Sequence, residues 1–170
     1  MSVELIVGTP DEMEALGARL AGRLDAGDLV ALNGELGAGK TTLTRGLGAA
    51  LGVRGTVTSP TFVLARTHPR TSGAPLVHVD AYRLGDATEL DDLDLDYPGS
   101  IVVVEWGAGL LDGVAESWLE VDIDRGHGDV AADPESDEAT PRRVRITGHG
   151  PRWTDLSWVA PPPEPHPLVE

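Results

Sequence analysis

The run Gly34-Glu35-Leu36-Gly37-Ala38-Gly39-Lys40-Thr41 matches the pattern G-x-x-x-x-G-K-[ST] at every fixed position. It constrains the fold more than any other feature, because it works only between an apolar strand and an amphipathic helix. Glycines let the backbone turn without a Cβ clash, so several amide N–H groups face one point. The following helix presents its N-terminus to the same point. The ligand that fits is a nucleoside triphosphate. Lys40 would reach its β- and γ-phosphates, and the Thr41 hydroxyl would bind a magnesium ion that bridges phosphate oxygens.

The required context is present. Leu29-Val30-Ala31-Leu32 reads as a short apolar strand entering the loop. Residues 41–51 read as a helix, with Leu43, Leu47, Ala50 and Leu51 on its buried side and Gly52 as its cap. Lysine usage points the same way. The chain has twelve arginines and one lysine, and that lysine is Lys40. A compact ammonium therefore stands where a phosphate would be met.

The rest of the chain alternates strands and helices, which points to an α/β fold of P-loop NTPase type: three layers around a mixed, largely parallel sheet. Residues 2–7 read as a strand. Thr9 is an N-cap, Pro10 suits the first turn and Glu12 completes a capping box. Met13, Leu16, Leu20 and Leu24 then follow at helical spacing, predicting a helix that ends near Gly27. Residues 58–61 read as a loop, 62–66 and 76–80 as strands, and 87–95 as a short acidic helix. Ile101-Val102-Val103-Val104 is wholly apolar and ends in Glu105, which suits a strand buried on both faces. Residues 118–123 and 142–147 alternate as a late, partly exposed antiparallel pair. The expected organisation is one ATPase domain over residues 1–160. Residues 126–141, without apolar periodicity, are expected to form a mobile loop, and residues 161–170 a disordered proline-rich tail.

A phosphate loop needs a carboxylate to hold magnesium or orient water. Strands 76–80 and 101–105 end in Asp80 and Glu105. The second strand is unbroken apolar sequence and so belongs at the centre, which assigns Glu105 to magnesium, directly or through water. Asp80 is the alternative ligand, or the residue that orients the attacking water. A hydroxyl of Thr58-Ser59-Pro60-Thr61, Thr61 in particular, could complete the magnesium shell when the γ-phosphate is present. Trp106 either stacks on a base or packs against the sheet. Arg83 either adds a cation near the site or pairs with nearby acids. His68, His78, His127, His149 and His166 show no metal-ligand spacing and default to core or surface roles.

Formal net charge is −15, from 28 acids against 13 bases. That balance argues against a direct grip on nucleic acid phosphates and favours a protein partner or a locally held anion. The absence of cysteine excludes disulfides and thiolate metal sites. No apolar run approaches a membrane span, and Met1-Ser2-Val3-Glu4-Leu5 lacks the basic start of a signal peptide, so a cytoplasmic location is expected.

Taken together, the phosphate loop through Thr42, Ser59-Pro60-Thr61-Phe62, His78-Val79-Asp80-Ala81-Tyr82-Arg83-Leu84 and Val104-Glu105-Trp106 make the chain similar to the bacterial TsaE (YjeE) family. These are the ATPases of tRNA threonylcarbamoyladenosine biosynthesis, and the resemblance covers roughly residues 5–125. It implies ATP and magnesium as ligands. It also implies a complex with the two subunits that transfer a threonylcarbamoyl group to adenosine 37 of ANN-decoding tRNAs. Those partners would hold most of the tRNA, and this subunit would hydrolyse ATP to support turnover without making the threonylcarbamoyl bond. By motif position Lys40, Thr41, Thr42, Asp80 and Glu105 take the family's nucleotide and metal roles, and the segment near Thr9 would lie close to the adenine. Beyond Asp124 the chain departs from the pattern.

Two other readings share the loop. A small-molecule kinase would transfer the γ-phosphate to a hydroxyl, with Arg142, Arg143 and Arg145 as a basic lid. A non-hydrolysing ATP-gated switch would use the same loop for interaction alone. A GTP switch normally reads guanine through an Asn-Lys-x-Asp motif, which cannot exist here because Lys40 is the only lysine, so ATP is favoured over GTP.

Overall fold

The computed structural model describes residues 1–55, 57, 64–82, 84, 87–125 and 141–161. Among these described residues seven strands form one sheet: β1 (Ser2–Val7), β2 (Leu29–Gly34), β3 (Ala65–His68), β4 (Leu76–Asp80), β5 (Ile101–Glu105), β6 (Trp118–Asp124) and β7 (Arg142–His149). Their spatial order is β1-β7-β6-β2-β5-β4-β3. The helices are α1 (Pro10–Ala21), α2 (Lys40–Leu51) and the short α3 (Ala87–Asp91), followed near the C-terminus by two 3-10 turns.

Strands β4, β5, β2 and β6 run parallel and form the centre. Antiparallel pairs extend it, with β3 on β4 at one side and β7 on β6, then β1 on β7, at the other. This is the mixed α/β sheet that the sequence predicts. The chain reaches β6 from β5 by crossing β2, so β2 has parallel neighbours on both sides. The connection from β2 runs toward β3 and the one from β5 runs toward β6, so they diverge between these two strands, which is where an open α/β sheet leaves a crevice for a ligand.

Alternation along the central strands divides the core in two. Val30, Leu32, Ile101, Val103 and Leu76 face the side covered by α1 and α2. Leu29, Ala31, Val102, Val104, Val77 and Val79 face the other side, where Leu90 of α3 and Leu111 cover them. That third layer is thin, being one short helix and irregular chain rather than a pair of helices.

Local chemistry explains the helix ends. Thr9 caps α1 by accepting from Glu12 N–H at 3.2 Å. Glu12 reaches back past the cap and accepts from Gly8 N–H at 2.6 Å, one residue earlier than a standard capping box. α1 stops at Ala21, well short of Gly27, because the chain leaves the helix at Gly22. The Asp28 carboxylate then accepts from Asp25 N–H at 2.7 Å and fixes the turn into β2. Leu24 is still buried, so its place in the apolar pattern is real while its helical geometry is not. β3 begins at Ala65, so only the end of the strand expected at 62–66 coincides with it. Residues 62 and 63 lie outside the described residues, as do Arg83, residues 58–61 and 126–140, and the tail beyond 161.

α1 and α2 cross at unusually close range. A Cβ on Gly17 would be driven into Leu43 O and would lie 2.7 Å from Leu47 N. A Cβ on Gly46 would be driven into Glu14 O. Ala50, expected on the buried side of α2, is exposed, and Gly46 takes that place. The first turn of α2 is the end of the phosphate loop, so this contact holds the loop's base. Gly17→Ala is expected to lower unfolding stability by about 1–3 kcal/mol, the usual cost of overpacking. Urea denaturation checks this, and an unchanged midpoint would show that the helices separate freely.

Candidate functional site

The loop begins where β2 ends. At Gly34 a side chain would lie 2.8 Å from Ile123 O, so the strand can turn only if that position is bare. Gly37 and Gly39 have φ of 77° and 113°, values that side chains other than glycine's rarely tolerate. Ala38 N–H donates to Glu35 O at 3.0 Å and closes the turn. Gly39 then enters α2 without a side-chain cap, and no acid lies in that helix's first turn. The N–H groups of Lys40, Thr41 and Thr42 have no intrahelical carbonyl to meet and face the mouth of the loop. By contrast, Asp11 and Glu12 occupy the first turn of α1. The helix end at the loop is thus left open for an external anion.

Lys40 Nζ donates to Gly34 O at 2.6 Å and to Glu35 O at 3.0 Å. It also lies 4.2 Å from the centre of the Trp106 ring. Burial pushes the Lys40 ammonium below its ordinary pKa, while Glu105 and Asp80 pull it back up. The loop's own carbonyls and an aromatic face therefore hold the chain's one lysine ammonium beside two carboxylates.

Those carboxylates arrive by strand register. Asp80 and Glu105 are direct partners across the parallel β4–β5 pair. Each is an even number of residues from Leu76 or Ile101, so both point to the face that α1 and α2 cover. Asp80 Oδ1 accepts from Tyr82 N–H at 3.0 Å, which turns the chain sharply after β4. Glu105 is 5% exposed, and His78 beside it is fully buried. His78 Nε2 lies 3.2 Å from Glu105 Oε1. The distance suits an ion pair, but the angles miss a hydrogen bond. Both His78 ring nitrogens and Glu105 Oε1 lack one among the described residues.

Trp106 closes this side of the site. Its φ of 61° is left-handed, a strained conformation for an indole-bearing residue. Its N–H donates to Leu32 O at 2.8 Å, and its ring lies 5.3 Å from that of Tyr82. That strain aims the indole at Lys40 rather than into the sheet. Thr9 sits one turn before Met13, whose side chain packs against Gly39, so the start of α1 lies alongside the loop. Arg142 of β7 donates through Nε to Ala38 O at 3.1 Å.

A divalent cation fits this donor set. Among the described residues no three His, Cys, Asp or Glu side chains converge, so no all-protein cage is present. A cation bound with phosphate needs only one or two protein ligands. The Thr41 hydroxyl and a buried carboxylate oxygen without a hydrogen bond supply that number.

The structure brings together Lys40, Thr41, Thr42, Asp80, Glu105, Trp106 and the loop Gly34, Glu35, Leu36, Gly37, Ala38, Gly39. Thr61 lies outside the described residues. Sequence reasoning gave two neighbours other roles. His78 was set aside for want of metal spacing, although its even offset from Asp80 places it on the same face. Arg142 lies 104 positions from the loop carbonyl that it meets, and no local pattern announces such a contact.

Comparison with known proteins adds a family. The family model described as "Threonylcarbamoyl adenosine biosynthesis protein TsaE" matches residues 7–131. A Streptomyces coelicolor protein named "tRNA threonylcarbamoyladenosine biosynthesis protein TsaE" is 59% identical over 154 residues, which is 87% of this chain and 99% of that protein. A Bacillus subtilis protein of the same name is 35% identical, over 71% of this chain and 76% of that one. The crystal structure of Bacillus subtilis YdiB superposes with a TM-score of 0.66 at 27% identity, covering 88% of this chain and 87% of that one.

A buried carboxylate oxygen without a hydrogen bond costs stability. Glu105→Gln keeps the shape and removes the charge. In ligand-free protein it is expected to raise the unfolding free energy by about 1 kcal/mol, read from urea midpoints at constant m. A fall of that size would mean that Lys40 and His78 already compensate the carboxylate.

Proposed function

Because the chain belongs to the TsaE family, we propose that it is the magnesium-dependent ATPase subunit of the machinery that makes N6-threonylcarbamoyladenosine at position 37 of ANN-decoding tRNAs. The relatives' names carry the pathway. The observation that carries the chemistry is the meeting of Lys40, the open first turn of α2 and Glu105 at the carboxyl ends of β2 and β5.

In this reading the first-turn N–H groups of α2 and Lys40 bind the triphosphate, with Lys40 exchanging the Gly34 and Glu35 carbonyls for phosphate oxygens. Thr41, together with Glu105 or Asp80, would hold magnesium, which would supply charge neutralisation for the triphosphate. The carboxylate not so used orients the attacking water. Burial of Glu105 keeps bulk water from competing for that role. Trp106 walls the pocket and gives Lys40 a second resting place.

The acidic chain would leave tRNA to its partner subunits, and ATP hydrolysis would support their turnover. Among the described residues no helix is long and apolar enough to cross a membrane. The kinase alternative needs a basic lid from β7, and two of its three arginines are otherwise engaged. Arg145 donates to Glu4 of β1 at 2.9 Å through Nε, and Arg142 donates to the loop.

The test is ATP turnover by the purified chain, alone and with the two threonylcarbamoyl-transfer subunits. Low activity alone and stimulation by the partners is the expected result. Stimulation by a small hydroxyl compound instead would move the assignment to a kinase. No turnover under any condition, with ATP still bound, would leave an ATP-gated switch. Lys40→Ala is expected to weaken ATP binding by about 10–100-fold, the worth of charge-assisted hydrogen bonds. Unchanged turnover in that variant would defeat the loop assignment.

A further inference from the structure

We propose that Arg142 is a positioning residue that braces the phosphate loop from behind, setting its affinity for the triphosphate. This rests on the ATP-binding reading above. A phosphate loop aims N–H groups inward, so some of its carbonyls must face outward and find donors elsewhere. Ala38 is fully buried, and its carbonyl is met by Arg142 Nε at 3.1 Å. Arg142 Nη2 lies 3.5 Å from Gly37 O, at the outer limit of a hydrogen bond. One planar guanidinium thus spans two successive carbonyls at the crest of the loop, a geometry that suits arginine and not lysine.

A second guanidinium lies near the same glycine. Arg125, just past the end of β6, places Nη1 3.2 Å from where a Gly37 side chain would begin. Arg142 opens the antiparallel partner strand, and Val7 of β1 pairs with Arg142 itself. The brace is therefore anchored in the sheet and does not drift with the loop. It fixes the Ala38 carbonyl outward, which commits the Gly39 N–H of the same peptide to the phosphate side. It also sets positive charge behind the loop in a chain whose net charge is −15.

The consequence is specific to the phosphate end of the ligand. Arg142→Ala should weaken binding of ATP and of inorganic tripolyphosphate by the same factor, about tenfold. Arg142→Lys, with the charge but not the fork, should lose about threefold for both. Titration calorimetry on the full chain measures both ligands, and melting without ligand shows whether each variant folds. If the alanine variant fails to fold, the lysine variant carries the test. Equal binding by the variants and the parent would overturn the brace. So would a loss confined to ATP with tripolyphosphate spared, because Arg142 would then touch the nucleoside instead. A parent chain that binds neither ligand would instead sink the ATP reading itself, a result distinct from failure of the brace.

Discussion

The parallel register of β2 against β5 is the constraint on which the site depends. Leu29 pairs with Val102 and Leu32 with Glu105, so the loop's first glycine lies two residues beyond the level of the carboxylate. A slip of one residue would send Glu105 to the opposite face and leave the loop without its acid. The register is held because both strands are apolar on both faces and buried throughout their common length. Asp80 inherits its place by pairing with Glu105 across the same parallel arrangement. The core fixes the positions of the acids before any ligand is present.

The close crossing of α1 and α2 supplies the second half of the geometry. Gly17 and Gly46 let the helix backbones approach until no side chain fits between them. That approach seats Met13 against Gly39 and sets the helix N-terminus over the strand ends. Arg142 completes the frame from the sheet side. The loop is thus held by a helix below, a strand in front and a guanidinium behind. Lys40, with its long side chain and its two carbonyl acceptors, can exchange partners without moving the backbone.

Much of this was legible in the sequence, for a physical reason. Glycine spacing, the unbroken apolar run of β5 and the acids at two strand ends are local signals, and the structure places them together at the carboxyl ends of the central strands. What stayed hidden were relations between distant segments. Gly17 and Gly46 read as ordinary helix residues, since their purpose is the other helix. His78 gave no motif, yet parity along β4 puts it against Glu105. The end of α1 was misplaced because Leu24 continues the apolar pattern past the real cap, burying its side chain without being helical. Arg142 read as one of three alternating arginines, and its selection for the loop comes only from pairing in the sheet.

The central claim is that Lys40 leaves its resting carbonyls and the Trp106 face to meet a triphosphate. Because Lys40 is the only lysine in the chain, selective isotopic labelling of lysine gives one side-chain resonance that belongs to it alone. In the free protein the indole ring should shift that signal upfield, since the ammonium lies 4.2 Å from the ring centre. Addition of magnesium ATP should move it downfield, with saturation at one nucleotide per chain, and magnesium adenosine monophosphate should move it far less. A resonance that stays in place at saturating magnesium ATP would contradict the account.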